Sequence, residues 1–129
     1  MRSALESNLV LIDRLEGMIH ECLKDYVSPD GPVAIVDFPD QRNCGDSAIW
    51  LGEMAYLAER HGKRPAYVCR MKDFSAAALE RVMPEGTIFI HGGGNFGDIW
   101  EEHQNFRERV VERFPDRRIV QFPQSIHYK

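Results

Sequence analysis

The chain is poor in cysteine, and the few it has are badly spaced for structural work. Its 129 residues hold Cys22, Cys44 and Cys69, an odd set with no C-x-x-C spacing, which argues against a disulfide framework and against a zinc site. Its histidines are scattered and none forms H-E-x-x-H, so no metal site is expected. No apolar run approaches the ~18 residues of a membrane span, and Met1-Arg2-Ser3-Ala4-Leu5-Glu6 lacks the apolar core of a signal peptide. A cytoplasmic protein without a transmembrane segment is the expectation. Basic excess is missing too: a formal net charge of −4 leaves no electrostatic footprint for nucleic acid.

What is present is ordinary globular composition, 43% hydrophobic and 28% charged, in a chain long enough for one domain with its own core. Leu5, Leu9, Ile12, Leu15, Ile19, Cys22, Leu23 and Tyr26 recur at three- and four-residue steps, which predicts an amphipathic helix over 4–26 with one buried stripe. Ser3 would cap it, with Glu6 three residues on, and Ser28-Pro29-Asp30-Gly31-Pro32 would end it. Residues 1–30 thus read as a helix covering a βα core over 31–129. Cys22 on that stripe and Cys69 in a strand read as small buried hydrophobes.

The apolar run Val33-Ala34-Ile35-Val36-Asp37-Phe38 predicts a strand buried on both faces. Ile49, Trp50, Met54, Leu57 and Ala58 mark a helix ending at His61-Gly62, and 65–70 a second strand. A short helix over 74–82, opened by Asp73 or Ser75, leads to a strand at Thr87-Ile88-Phe89-Ile90-His91. A helix capped by Asp98 and a strand at 118–122 follow. This alternation predicts an α/β fold: a Rossmann-like three-layer sandwich with a parallel sheet of about four strands.

In such sheets ligands bind beyond the carboxyl ends of the strands. The unusual residues fall there: Asn43-Cys44-Gly45-Asp46, Gly92-Gly93-Gly94-Asn95 and Pro123-Gln124-Ser125. Three polar loops distant in sequence are expected to converge on one edge. Gly92-x-Gly94-x-x-Gly97 formally matches the dinucleotide fingerprint. However, the acidic residue that should end the following strand is missing, since Asp116 precedes it. Glycines that merely let a helix pack closely on the sheet are a better fit than a dinucleotide site. Asp46, at a helix start, is stabilised by free N–H groups and occupies the place of a phosphate. It serves either as a plain N-cap or as a general base toward a hydroxyl. His91 and His127 lie on the same edge as acid, base, ligand or structural residues. Trp50 and Trp100 are core residues or sugar platforms.

Taken together, Asn43-Cys44-Gly45-Asp46-Ser47-Ala48-Ile49, Phe89-Ile90-His91-Gly92-Gly93-Gly94-Asn95-Phe96-Gly97-Asp98 and Phe122-Pro123-Gln124-Ser125 resemble the N-terminal half of the polysaccharide pyruvyl transferase family over about residues 33–128. The resemblance implies transfer of the enolpyruvyl unit of phosphoenolpyruvate to two sugar hydroxyls, leaving a ketal. It implies no cofactor and no metal beyond that donor substrate. It also implies a GT-B-like pair of Rossmann-like domains, with this chain the N-terminal one and the donor-binding C-terminal domain absent. Asp46 becomes the candidate catalytic base. Asn43, Gly45, His91, Gly92, Gly93, Gly94, Asn95, Gln124, Ser125 and His127 become candidate substrate-binding residues.

The implied partner is a glycan or lipid-linked sugar acceptor, the latter placing the enzyme peripherally at the inner membrane face. An exposed sheet edge and an unpartnered apolar face predict a homo-oligomer. A doubly anionic donor needs clustered cations, and Arg42, Arg70, His91 and His127 form no such cluster in sequence, so a fragment inactive alone is expected. A GT-B-like glycosyltransferase half and a nucleotide-binding Rossmann-like module remain the alternatives.

Overall fold

The computed structural model describes residues 4–129; the expected Ser3 cap lies outside them. Four strands, β1 (Val33–Val36), β2 (Tyr67–Cys69), β3 (Thr87–Ile90) and β5 (Ile119–Gln121), form one parallel sheet in the order β2-β1-β3-β5. The helices are α1 (Ala4–Leu23), α2 (Cys44–His61), α3 (Ala76–Val82) and α4 (Glu101–Arg113). This is the expected α/β three-layer sandwich. β1 and β3 are buried at every position, as runs with helices on both faces must be.

Period-two alternation divides the core. Ala34, Val36, Ile88 and Ile90 face Leu79 and Met83 from the α3 side and Phe106 and Val110 from α4. Val33, Ile35 and Phe89 face Leu57 of α2 and the end of α1 at Leu23. On that second face the Phe89 and Phe122 rings stack at 4.7 Å between centroids; each such fully buried ring contributes about 1.5–3 kcal/mol.

Chain order sets where a crevice opens. From β1 the chain crosses by way of α2 to β2 on one side, then returns by way of α3 to β3 on the other. The carboxyl ends of β1 and β3 therefore flank a topological switch point, the usual ligand crevice of an open parallel sheet.

Four features depart from expectation. The glycine run is a strand, β4 (Gly93–Gly97), which pairs in parallel with β6 (Gln124–His127), where a loop was expected. The pairing joins segments about thirty residues apart, a nonlocal contact that local glycine propensity opposes. Helix α2 is capped by Asn43, whose side chain accepts from the Gly45 N–H at 2.9 Å, so Asp46 sits in the first turn. Helix α4 starts three residues beyond Asp98, which accepts the Lys129 N–H at 2.8 Å.

The largest difference concerns α1, whose apolar stripe does not cover the sheet. Leu5 is 69% exposed and Leu9, Ile12, Leu15 and Ile19 are all near half exposed; only Leu23 is buried. Cys22 is exposed with them, whereas Cys69 is buried as expected. Periodicity shows that a face is apolar, not what it meets. Elsewhere the signals hold: Gly62, at φ 62°, ends α2, and Ser75 caps α3 through the Ala78 N–H.

Candidate functional site

A cleft of about 280 Å³ opens at the switch point. It is bounded by the loop after β1, the first turn of α2, the end of β3 and the start of α4, with Trp100 on its wall. Of the residues marked out in sequence, Asn43, Asp46, His91, Gly94 and Asn95 line it. Gly93, Gln124 and Ser125 instead line a larger, mainly apolar groove of about 610 Å³ between α1 and α2. Gly45, Gly92 and His127 line neither; His127 lies 3.5 Å from Asp98 on an exposed surface. The three loops do converge, but on two faces of one wall.

Two buried carboxylates hold the cleft's histidines. Asp37, the residue after β1, is 3% exposed and carries φ +69°. Asp is among the few non-glycine residues that enter this region readily, and a tertiary contact fixes it there. The contact is His103 of α4, whose Nδ1 donates to Asp37 Oδ2 at 2.8 Å and reaches Oδ1 at 3.1 Å. This hydrogen bond raises the His103 pKa above the ordinary imidazole value, against the opposing effect of partial burial. No described residue bonds its Nε2.

The second pair is Glu53 with His91. His91 Nδ1 lies 2.8 Å from Glu53 Oε2, and Glu53 Oε1 accepts the Gly92 N–H at 2.7 Å. Both side chains are buried, and His91 Nε2 has no partner among the described residues. The imidazole edge meets the Trp50 ring at 6.1 Å between centroids.

A network behind the glycines fixes the remaining wall. Asn95 Oδ1 accepts from Arg107 Nη1 and from Gln124 Nε2, both at 2.9 Å, and Arg107 Nη2 donates to the Asn95 carbonyl at 2.6 Å. Gln124 also donates to the His91 carbonyl. Gly92 is required sterically, because a Cβ there would lie 2.5 Å from the Pro123 carbonyl oxygen. Gly94 has open space around it, so its backbone is free to approach a ligand. Asn95 and Gln124 therefore prop the wall, through Asn95 Oδ1 and both ends of the Gln124 amide.

Charge limits what the cleft can hold. Asp37, Asp40, Asp46 and Glu102 line it, against Lys72 and the two imidazoles. Arg70, which sequence placed on the functional edge, is drawn off by Asp73 at 2.5 Å and Asp40 at 3.6 Å, and Lys72 lies 3.7 Å from Asp40. Both helices that begin here carry acids in their first turns, Asp46 in α2 and Glu101 and Glu102 in α4. Phosphate is favoured at a helix start by free N–H groups and positive partial charge; these carboxylates cancel both. Gly97 closes a strand instead of opening a helix, so the dinucleotide pattern lacks its geometry.

Sequence reasoning missed Asp37, Glu53, His103 and Arg107. A signal existed for two of them. Asp37 is the polar residue that ends an apolar run. Glu53 falls three residues after Trp50 and four before Leu57, on the buried stripe of α2. His103 and Arg107 sit in a charged helix and carry no local mark.

These features define a Rossmann-like α/β domain with an acid-lined, imidazole-bearing cleft at its switch point. The model of the polysaccharide pyruvyl transferase family matches residues 43–129, and the chain belongs to that family. It is 37% identical over 110 residues to pyruvyl transferase 1 of Schizosaccharomyces pombe, covering 81% of this chain and 27% of that protein. It is 32% identical over 123 residues to EpsO of Bacillus subtilis, provisionally named a pyruvyl transferase, covering 95% of this chain and 36% of that protein. The chain thus spans about a third or less of the curated relatives it matches. No helix among the described residues is long and apolar enough to cross a membrane.

Proposed function

We propose that this chain forms the acceptor-binding half of an enzyme that transfers a pyruvyl unit from phosphoenolpyruvate to a sugar, as a ketal, in the synthesis of a cell-surface polysaccharide. Family membership supports the reaction class. The observation that carries the assignment to the acceptor is the cleft's acid-rich wall. A trianionic or dianionic donor requires a cationic cradle, which these side chains do not provide. A neutral polyol needs the opposite: carboxylates to accept hydroxyl protons, imidazoles to bond its oxygens, and an aromatic face for its C–H surface. Trp100, 54% exposed, supplies that face.

Asp46 remains the candidate base toward the attacking hydroxyl. Its Oδ1 lies 3.6 Å from where a Cβ on Gly93 would stand, so α2 and the glycine strand meet at this carboxylate. Donor-holding cations are assigned to residues outside this cleft, in a GT-B-like arrangement of two domains. The chain alone is therefore expected to bind acceptor without turnover.

Calorimetric titration with a panel of neutral methyl hexopyranosides, phosphoenolpyruvate and NAD tests the reading. Saturable binding of at least one hexoside, weakened about tenfold by Asp46→Asn through loss of a charge-assisted hydrogen bond, is expected. Tight binding of NAD with no hexoside response would overturn the acceptor assignment. Phosphate release from phosphoenolpyruvate and a hexoside by this chain alone would overturn the half-site assignment.

A further inference from the structure

The cleft contains an imidazole whose two nitrogens are treated differently. Asp37 clamps Nδ1 of His103 through both carboxylate oxygens. The ring keeps 17% of its surface open, it lines the cleft, and its Nε2 meets no described residue. Asp37 in turn is held in a left-handed backbone conformation at the end of β1.

We propose that His103, oriented by Asp37, presents Nε2 to an oxygen of the sugar acceptor and is the ligand-binding imidazole of the cleft. This rests on the acceptor-half reading. As an imidazolium, His103 donates from Nε2 to a ring or hydroxyl oxygen; as the neutral Nδ1–H tautomer, Nε2 turns into an acceptor. A hydroxyl can bond either form, but the sugar's ring oxygen can only accept, so with Nε2 aimed at that ring oxygen, acceptor binding is gated by protonation of this imidazole. The charged and titratable groups around it are Asp37 and Asp40 after β1, Asp46 on α2, Lys72 in the turn after β2, His91 at the end of β3, and Glu102 and Arg107 on α4 itself. Asp37 and Glu102 hold the proton on His103 and Arg107 opposes them. The donated bond is thus present below the raised pKa and lost as pH climbs through it.

Nitrogen-detected imidazole spectra of the complete 129-residue chain, taken during titration with methyl gluco-, galacto- and mannopyranoside, decide the matter. The His103 Nε2 resonance is expected to move on saturation while Nδ1 stays near its free position. Hexoside affinity is expected to fall about tenfold as pH passes through the His103 titration. Asp37→Asn keeps an acceptor for Nδ1–H and tolerates the left-handed backbone, so it should shift the midpoint of that fall to lower pH. His103→Gln should abolish the midpoint. A merely structural pair would change the folding midpoint and leave the binding profile in place. An unmoved Nε2 resonance, or affinity flat with pH while binding still depends on Asp46, overturns the His103 assignment and leaves the acceptor half standing. No hexoside binding at any pH overturns both. If either variant fails to fold, the wild-type spectra are sufficient to support or overturn the assignment.

Discussion

Replacing Glu53 with alanine removes one carboxylate and strands two donors. Its Oε1 accepts the Gly92 N–H at 2.7 Å and its Oε2 bonds His91 Nδ1 at 2.8 Å, all within a region closed to water. A buried donor left unsatisfied costs about 1–3 kcal/mol. With two donors stranded, Glu53→Ala is expected to cost roughly 2–6 kcal/mol, a large share of the ~5–15 kcal/mol that holds a domain together. Glu53→Gln should cost less, about 1–2 kcal/mol, because its carbonyl oxygen still accepts from Gly92 and the histidine can change tautomer to receive the amide. Urea unfolding followed by circular dichroism measures both. A cost below about 1 kcal/mol for the alanine variant, with an unchanged denaturant slope, would refute the claim that this pair fixes the end of β3 to α2.

Two further outcomes follow from particular geometry. At Gly97, with φ +120°, an added Cβ would stand 1.7 Å from the His127 carbonyl oxygen. The obstacle is backbone, so Gly97→Ala should separate β4 from β6 and cost about 3 kcal/mol or more; Gly94→Ala, with open space around it, should stay within about 0.5 kcal/mol in the same denaturation assay. The second concerns His103, whose pKa is raised in the folded state chiefly by Asp37. Its contribution to stability is complete below the unfolded imidazole value of about 6.5 and is lost as pH rises through the folded value. The stability gap between wild type and His103→Gln, about 1.5–3 kcal/mol near pH 6 for a charge-assisted bond, should shrink on going to alkaline pH. A gap that widens with pH would contradict the pairing.

The α/β class was legible because each strand is a short apolar run and each helix repeats at three and four residues. Val33 to Val36 and Thr87 to Ile90 have no polar member on either face but Thr87, which only a sheet covered on both sides accommodates. The motif residues announced a site at the carboxyl edge, and Asn43, Asp46, His91, Gly94 and Asn95 do share one cleft. Less legible was everything that depends on a partner far away in sequence. The glycine run looked like a loop because its pairing strand lies about thirty residues later. α1 looked like a cover because its stripe repeats well, yet most of that stripe faces outward.

Sequence alone determined the order of the helices and of the four strands of the main sheet, the edge on which the motif residues gather, and the family. Those follow from periodicity, strand hydrophobicity and the residues of contiguous loops, all local properties of the chain. Tertiary structure alone decided which carboxylate holds which histidine: Glu53 with His91 across 38 positions, and Asp37 with His103 across 66. Hydrogen bonds of that span are set by how α2 and α4 pack against the ends of β1 and β3, and no spacing rule encodes them. The same packing turned a polar edge into an acid-lined cleft, the feature on which the proposal of a neutral sugar ligand rests.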